Sequence, residues 1–99
     1  MKHSTTVEWT DEALSQFDRA HDYISLSDSE AVTNRIAEHV FVTVQQLSRF
    51  PMSGRVGRVS GTRELVLSNT PFVVAYAIQR DRILVLAIYH GAQRWPEAF

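Results

Sequence analysis

The chain has no cysteine, and Lys2 is its single lysine in 99 residues. Without cysteine there can be no disulfide, no thiolate nucleophile and no cysteine-ligated zinc. No apolar stretch approaches the roughly 20 residues that a membrane helix needs. The N-terminus lacks the apolar h-region of a signal peptide, so the expected location is the cytoplasm. Gly-x-Ser-x-Gly, the P-loop, His-Glu-x-x-His and the dinucleotide fingerprint are all missing. His3, His21 and His39 stand among unlike residues at no ligand spacing. They are expected to be solvated or half-buried, with no metal and no cofactor.

What remains is a chain of ordinary soluble composition, 44% apolar and 21% charged, of a size for one domain spanning 1–99 with a modest core. Its charge is near neutral overall but unevenly spread. Residues 1–48 carry three basic groups (Lys2, Arg19, Arg35) against eight acids, a net of −5. Residues 49–99 carry seven arginines (49, 55, 58, 63, 80, 82, 94) against three acids, a net of +4. An anionic partner is therefore drawn to the C-terminal half. Every basic side chain there is arginine, which grips carboxylate or phosphate bidentately and cannot donate a proton at neutral pH.

Thr5 to Thr10 alternates weakly around Val7 and Trp9 and predicts a short first strand. Thr10 is a good N-cap, with Asp11 and Glu12 in the first turn where acids favour the helix dipole. Ala13, Leu14, Phe17, Ala20 and Ile24 recur at helical spacing, predicting a helix from about Asp11 to Ile24. Ser27-Asp28-Ser29-Glu30 has the pattern of a capping box, opening a second helix with Val32, Ile36, Val40, Val44 and Leu47 on one stripe. That helix should stop near Phe50-Pro51, since proline disfavours helix in the residue before it. Pro51 to Ser60, with Gly54 and Gly57, reads as a loop that carries Arg55 and Arg58 to the sheet edge.

Three segments of strand length follow: Gly61-Thr62-Arg63-Glu64-Leu65-Val66-Leu67, Phe72 to Ile78, and a last one from Ile83 to Ile88, with Tyr89, His90 and Arg94 just past its end. The breaks are Ser68-Asn69-Thr70-Pro71 and the charged turn Arg80-Asp81-Arg82. Runs of this length between turn residues predict a three-strand antiparallel meander. The order is strand, helix, helix and three strands, an α+β fold with an antiparallel helix hairpin on one face of an antiparallel sheet. The opposite face and the strand ends are left for function.

Arg63, Tyr89, His90 and Arg94 gather at the ends of these strands. A histidine there could exchange a proton near neutral pH. Arg63 and Arg94 could stabilise the charge that develops as an RNA 2′-hydroxyl attacks its neighbouring phosphate. Such cleavage needs no protein nucleophile and no metal. The plainer reading has Arg63 paired with an acid across the sheet, His90 capping a strand and Arg94 in solvent. Trp95-Pro96 is expected to form an anchored turn, its tryptophan packed on the helices.

Phe50-Pro51-x-x-Gly54-Arg55, Gly61-Thr62-Arg63-Glu64-Leu65-Val66, Pro71-Phe72-Val73-Val74-Ala75-Tyr76 and Ile88-Tyr89-His90-Gly91-Ala92-x-Arg94-Trp95-Pro96 occur in that order. With Trp9-Thr10-x-x-Ala13-Leu14 at the start, they resemble the RelE/ParE superfamily, the small toxins of type II toxin–antitoxin modules. The resemblance implies a growth-inhibiting toxin held inactive by a cognate antitoxin. A flexible antitoxin segment would wrap the helices and sheet, folding as it binds.

The superfamily divides by mechanism. RelE-like members cut mRNA in the ribosomal A site with basic residues on the sheet, and their catalytic arginine heads an Arg-Leu-Val-Tyr-type strand. The matching stretch here is Val73-Val74-Ala75-Tyr76, so Val73 stands where that arginine would be. The lysines of several ribonuclease members are absent too, and a near-neutral chain suits ribosomal RNA poorly. ParE-like members poison DNA gyrase by protein contact, and this chain looks closer to them. The resemblance thus implies a toxin that acts by binding, with Arg55, Arg58, Arg63, Tyr76, Arg94 and Trp95 as partner-binding candidates. The alternative is a metal-independent endoribonuclease acting with the ribosome on mRNA through His90, Arg63 and Arg94, with Tyr89 orienting. The expectation leans away from an enzyme.

Overall fold

The computed structural model describes residues 5–90, 96, 98 and 99, apart from the side chain of Ser27. Strand β1 (Thr6–Trp9) leads into helices α1 (Asp11–Ser27) and α2 (Glu30–Gln45). Two 3-10 turns, Gln46–Ser48 and Pro51–Ser53, connect to β2 (Arg55–Val56), β3 (Arg63–Val66), β4 (Phe72–Ile78) and β5 (Arg82–His90). No helix among the described residues is long and apolar enough to cross a membrane.

Thr10 joins the first two elements. Its hydroxyl oxygen accepts from the Ala13 N–H at 3.1 Å and donates to the Leu86 carbonyl at 3.2 Å, while its own N–H reaches the Val85 carbonyl at 3.0 Å. One residue therefore caps α1 and ties its start to β5. The helix runs three residues beyond the expected Ile24, because nothing in Ser25-Leu26-Ser27 breaks it. Asp28 and Ser29 are the whole connection, and both are extended. The cap of α2 is accordingly Ser29, whose hydroxyl accepts from Val32 N–H at 3.2 Å, rather than Ser27, which is still helical. Phe50 leaves helical geometry just before Pro51, at φ −129° and ψ 66°, as the proline requires.

The sheet order is β1-β5-β4-β3-β2. β2 to β5 form an antiparallel meander, and β1 lies parallel to β5, from Thr6 opposite Arg82 to Trp9 opposite Val85. The expected sheet was wholly antiparallel. A parallel neighbour is possible because the two helices and the meander carry the chain back to the far edge, so no hairpin constrains β1. β2 was read as loop: two residues between Gly54 and Gly57 hold no legible period. A bulge falls where Ala75 faces Ala87 and Tyr76 faces Val85, leaving Leu86 without a partner on β4. Asn69 turns the chain between β3 and β4 at φ 62°, the left-handed region that asparagine tolerates.

Helices and sheet enclose one core, centred on Val40, Val44, Leu47, Val74, Tyr76, Ile83 and Val85, with Trp9, Phe17 and Ile36 packed against it. The helix stripes turn slightly from expectation. Leu14 is 43% exposed, and on α2 it is Thr33 that is buried, its hydroxyl donating to the Ser29 carbonyl. The sheet face away from the helices is not bare. Residues alternate between faces along a strand, so Val73, Ala75 and Ala87 point there, and all three are buried.

Candidate functional site

Strand alternation sorts the expected arginines before any contact is considered. Arg63 stands opposite Tyr76, a core residue, and so shares the helix face; Glu64 stands opposite Ala75 and shares the other. Arg55, opposite Glu64, joins that second face.

Glu64 is 2% exposed and its carboxylate is enclosed by donors. Oε1 accepts from Arg55 Nε at 3.1 Å, Arg55 Nη2 at 2.9 Å and Arg58 Nη2 at 3.3 Å. Oε2 accepts from the Arg58 backbone N–H at 2.8 Å and Arg58 Nε at 3.1 Å. Burial by itself pushes this carboxyl up. The bonds from the Arg58 backbone and the Arg58 and Arg55 guanidinia outweigh it, holding the group below its ordinary value. A carboxylate this deep needs such partners, since an unpaired buried charge costs several kcal/mol. The arrangement pins the 54–62 segment to the sheet. Gly57 N–H donates to the Thr62 carbonyl at 2.8 Å, and a side chain at Gly57 would strike Thr62.

Arg63 is equally committed, to backbone: Nε donates to the Gly54 carbonyl at 2.9 Å and Nη2 to the Met52 carbonyl at 3.3 Å. The plainer expectation for Arg63, an acid partner across the sheet, gives way to these backbone carbonyls, while Arg55 and Arg58 are the arginines that meet an acid. Tyr76 is fully buried. Its hydroxyl donates to the Pro51 carbonyl at 2.7 Å and accepts from Gly54 N–H at 2.9 Å. Tyr76, a partner-contact candidate in the sequence, thus has a side chain that offers no surface and holds this turn.

His90 lies at the other end of the sheet, half-buried, its ring edge-on to Phe72 with centroids 6.0 Å apart. It borders an open groove of about 500 Å³ lined by Gln16, Arg19, Ala20, Tyr23, Phe72 and Ile88. Tyr89, next in sequence, points to the opposite face by alternation and lies against Phe99 at 6.3 Å. Arg63 and His90 face β4 residues four apart on different neighbouring strands. At roughly 3.3 Å per residue and 4.8 Å per strand, they are about 16 Å apart. The structure therefore does not gather Arg63, Tyr89 and His90 around one phosphate. Arg94 and Trp95 lie outside the described residues.

Val73 is 6% exposed and sits in an apolar row between Val66 and Tyr89. Two contributors had no place in the sequence reading. Glu64 was one of several acids, and its only signal was its position within a strand, beside Leu65 and Val66. Gln16 left none. Its Oε1 accepts from the Ile88 N–H at 2.8 Å, tying α1 to the part of β5 that β1 does not reach.

A family model described as "ParE toxin of type II toxin-antitoxin system, parDE" matches residues 7–95. A protein of Sinorhizobium fredii provisionally named toxin Y4kP is 37% identical over 91 residues, covering 92% of this chain and 93% of its own. Among solved structures, the fold is similar to a chain from "Chromosomal ParDE TA system from P. aeruginosa". The TM-score is 0.82 at 22% identity, over 90% of this chain and 98% of that one. A conserved hypothetical protein of Helicobacter pylori is more distant, with a TM-score of 0.52 at 13% identity over 85% and 91% of the two chains.

Proposed function

The chain belongs to the ParE toxin family of type II toxin–antitoxin systems, and on that premise we propose that it arrests growth by binding a protein target, DNA gyrase, and is neutralised by a cognate antitoxin. One observation carries the choice of mechanism: among the described candidates for holding a phosphate, Arg55, Arg58 and Arg63 are engaged inside the fold. Arg55 and Arg58 close on Glu64, and Arg63 closes on the carbonyls of Gly54 and Met52. Phosphate contacts dominate affinity for RNA, and a guanidinium already sharing a buried carboxylate has little left to offer one. The burial of Val73 where a ribonuclease relative would carry arginine supports the same choice.

Antitoxin binding finds support in the helices. Tyr23 is 68% exposed and Leu26 85% exposed on α1, and Phe41 and Val42 are about half exposed on α2. A segment that orders on binding could bury these together with the groove beside His90.

The direct test is a supercoiling assay with purified gyrase and the toxin released from its antitoxin. Inhibition at micromolar toxin, relieved by added antitoxin, is the expected result. Unaffected supercoiling and DNA cleavage, with mRNA cut at the A site in a translation reaction, would remove the proposal and favour the ribonuclease alternative.

A further inference from the structure

We propose that the outer edge of β1 pairs antiparallel with the same edge of a second copy of this chain, joining two sheets into one across a two-fold axis at Val7. The inference goes beyond the toxin reading and holds whichever protein the toxin arrests.

The backbone supplies the first half of the argument. β1 ends the sheet order on the side away from β2, with β5 as its neighbour. The Thr6 N–H donates to the Asp81 carbonyl at 3.3 Å and the Thr10 N–H to the Val85 carbonyl at 3.0 Å. Backbone groups of a strand point alternately to its two sides. Thr6, Glu8 and Thr10 therefore bond β5, and the N–H and C=O of Val7 and Trp9 point away from it. Among the described residues these outward groups have no hydrogen-bond partner.

The side chains supply the second half. Val7 and Trp9 stand opposite Ile83 and Val85 and share the helix side, while Thr6 and Glu8 take the other. Trp9 is half-buried and braced by Phe17 and Phe41, with ring centroids at 5.9 and 5.4 Å. Its indole N–H has no hydrogen-bond partner among the described residues. An amphipathic ring with an unused donor at a sheet edge suits an interface. Glu8 is the one charged residue of the strand, and a charge on an edge normally guards it against pairing. Here the guard is tied back, since Arg82 Nη1 donates to Glu8 Oε1 at 2.9 Å.

The order of side chains then selects the register. An axis at Glu8 would set two carboxylates directly opposite each other, which is destabilising. An axis at Trp9 would run the second copy's strand into the start of α1 at Asp11. With the axis at Val7, Val7 meets Val7 of the second copy, Trp9 meets Thr5 and Glu8 meets Thr6. Outward donors then face outward acceptors, the two valines pack together, and each carboxylate faces a hydroxyl. An interface of one short strand is smaller than the roughly 1,200 Å² of stable complexes, so the dimer forms at micromolar concentrations and dissociates on dilution.

The test uses the purified full chain freed of antitoxin. Sedimentation velocity across the micromolar range should show monomer passing into dimer, and NMR should show the Val7 and Trp9 amides exchanging more slowly as concentration rises. Val7→Pro removes an N–H that β1–β5 pairing does not use, and should weaken self-association about tenfold. If that variant folds poorly, a cross-link decides. The chain has no cysteine, so in a mixture of Thr6→Cys and Glu8→Cys the introduced thiols are the only ones. Position 6 of one copy faces position 8 of the other, so a disulfide should join the two variants, and neither should link to itself. A monomer throughout, a dimer with no slowing at Val7 and Trp9, or Glu8→Cys linking to itself would overturn the inference. None of these outcomes bears on gyrase, so the two proposals fail separately.

Discussion

The hydroxyl of Tyr76, in the middle of β4, donates to the carbonyl of Pro51 at 2.7 Å across 25 residues of sequence. Through this bond and the one it accepts from Gly54, a fully buried strand residue sets the conformation of the turn that carries Phe50 and Met52 to the surface. Tyr76→Phe keeps the packing and leaves the Gly54 N–H without its partner. The expected loss is about 1–3 kcal/mol of stability by urea unfolding, with faster amide exchange through residues 51–56.

Glu64 makes stability depend on acid. Its native pKa is lowered from 4.5, so its contribution is fully present above that value and is lost as pH falls through the lower native one. The unsubstituted chain should lose stability below about pH 4.5 more steeply than Glu64→Gln. At pH 7 the variant should be less stable by about 1.5–3 kcal/mol, the worth of hydrogen bonds to a charged group. Unfolding midpoints measured from pH 3 to 7 test both; parallel curves would show that Glu64 is not the group responsible.

Two threonine and serine caps separate local from tertiary effects. Ser29→Ala removes a cap alone and should cost about 1 kcal/mol. Thr10→Ala removes a cap and the bond to Leu86, and should cost about 1 kcal/mol more. Equal losses in urea unfolding would mean that the tie to β5 contributes nothing.

Gly54 has no room for a side chain. A Cβ there would lie 2.6 Å from the Tyr76 hydroxyl and 2.8 Å from the Glu64 carbonyl oxygen. Gly54→Ala should cost about 1–3 kcal/mol, as overpacking does, and a thermal melt unchanged within a degree would contradict this.

Leu26→Glu tests the antitoxin surface. At 85% exposure the substitution should leave the melting temperature nearly unchanged. Calorimetric titration with antitoxin should show affinity falling about tenfold or more, as for loss of a buried apolar anchor.

The elements were legible where local chemistry decides them. Thr10 and the acids after it mark the start of α1, and Ser68-Asn69-Thr70-Pro71 divides β3 from β4, whereas the second helix ends at Gln45 and passes into a 3-10 turn before the expected stop at Phe50-Pro51. The misreadings share a cause. Ser27 and Ser29 are equally good caps by composition, and only the path of α1 selects between them. The two residues of β2 are too few to show a period, and they exist as a strand because Glu64 draws Arg55 and Arg58 inward.

By itself, the sequence determined the number and type of the main elements, the absence of thiol chemistry and the crowding of arginine into the second half. These follow from composition and from periods of two and 3.6, which act over a few residues. The tertiary structure decided what each charge is for. Whether an arginine reaches a partner or a buried carboxylate depends on strand register. That register sets Arg63 on one face and Glu64 on the other, through contacts between residues that no local pattern links.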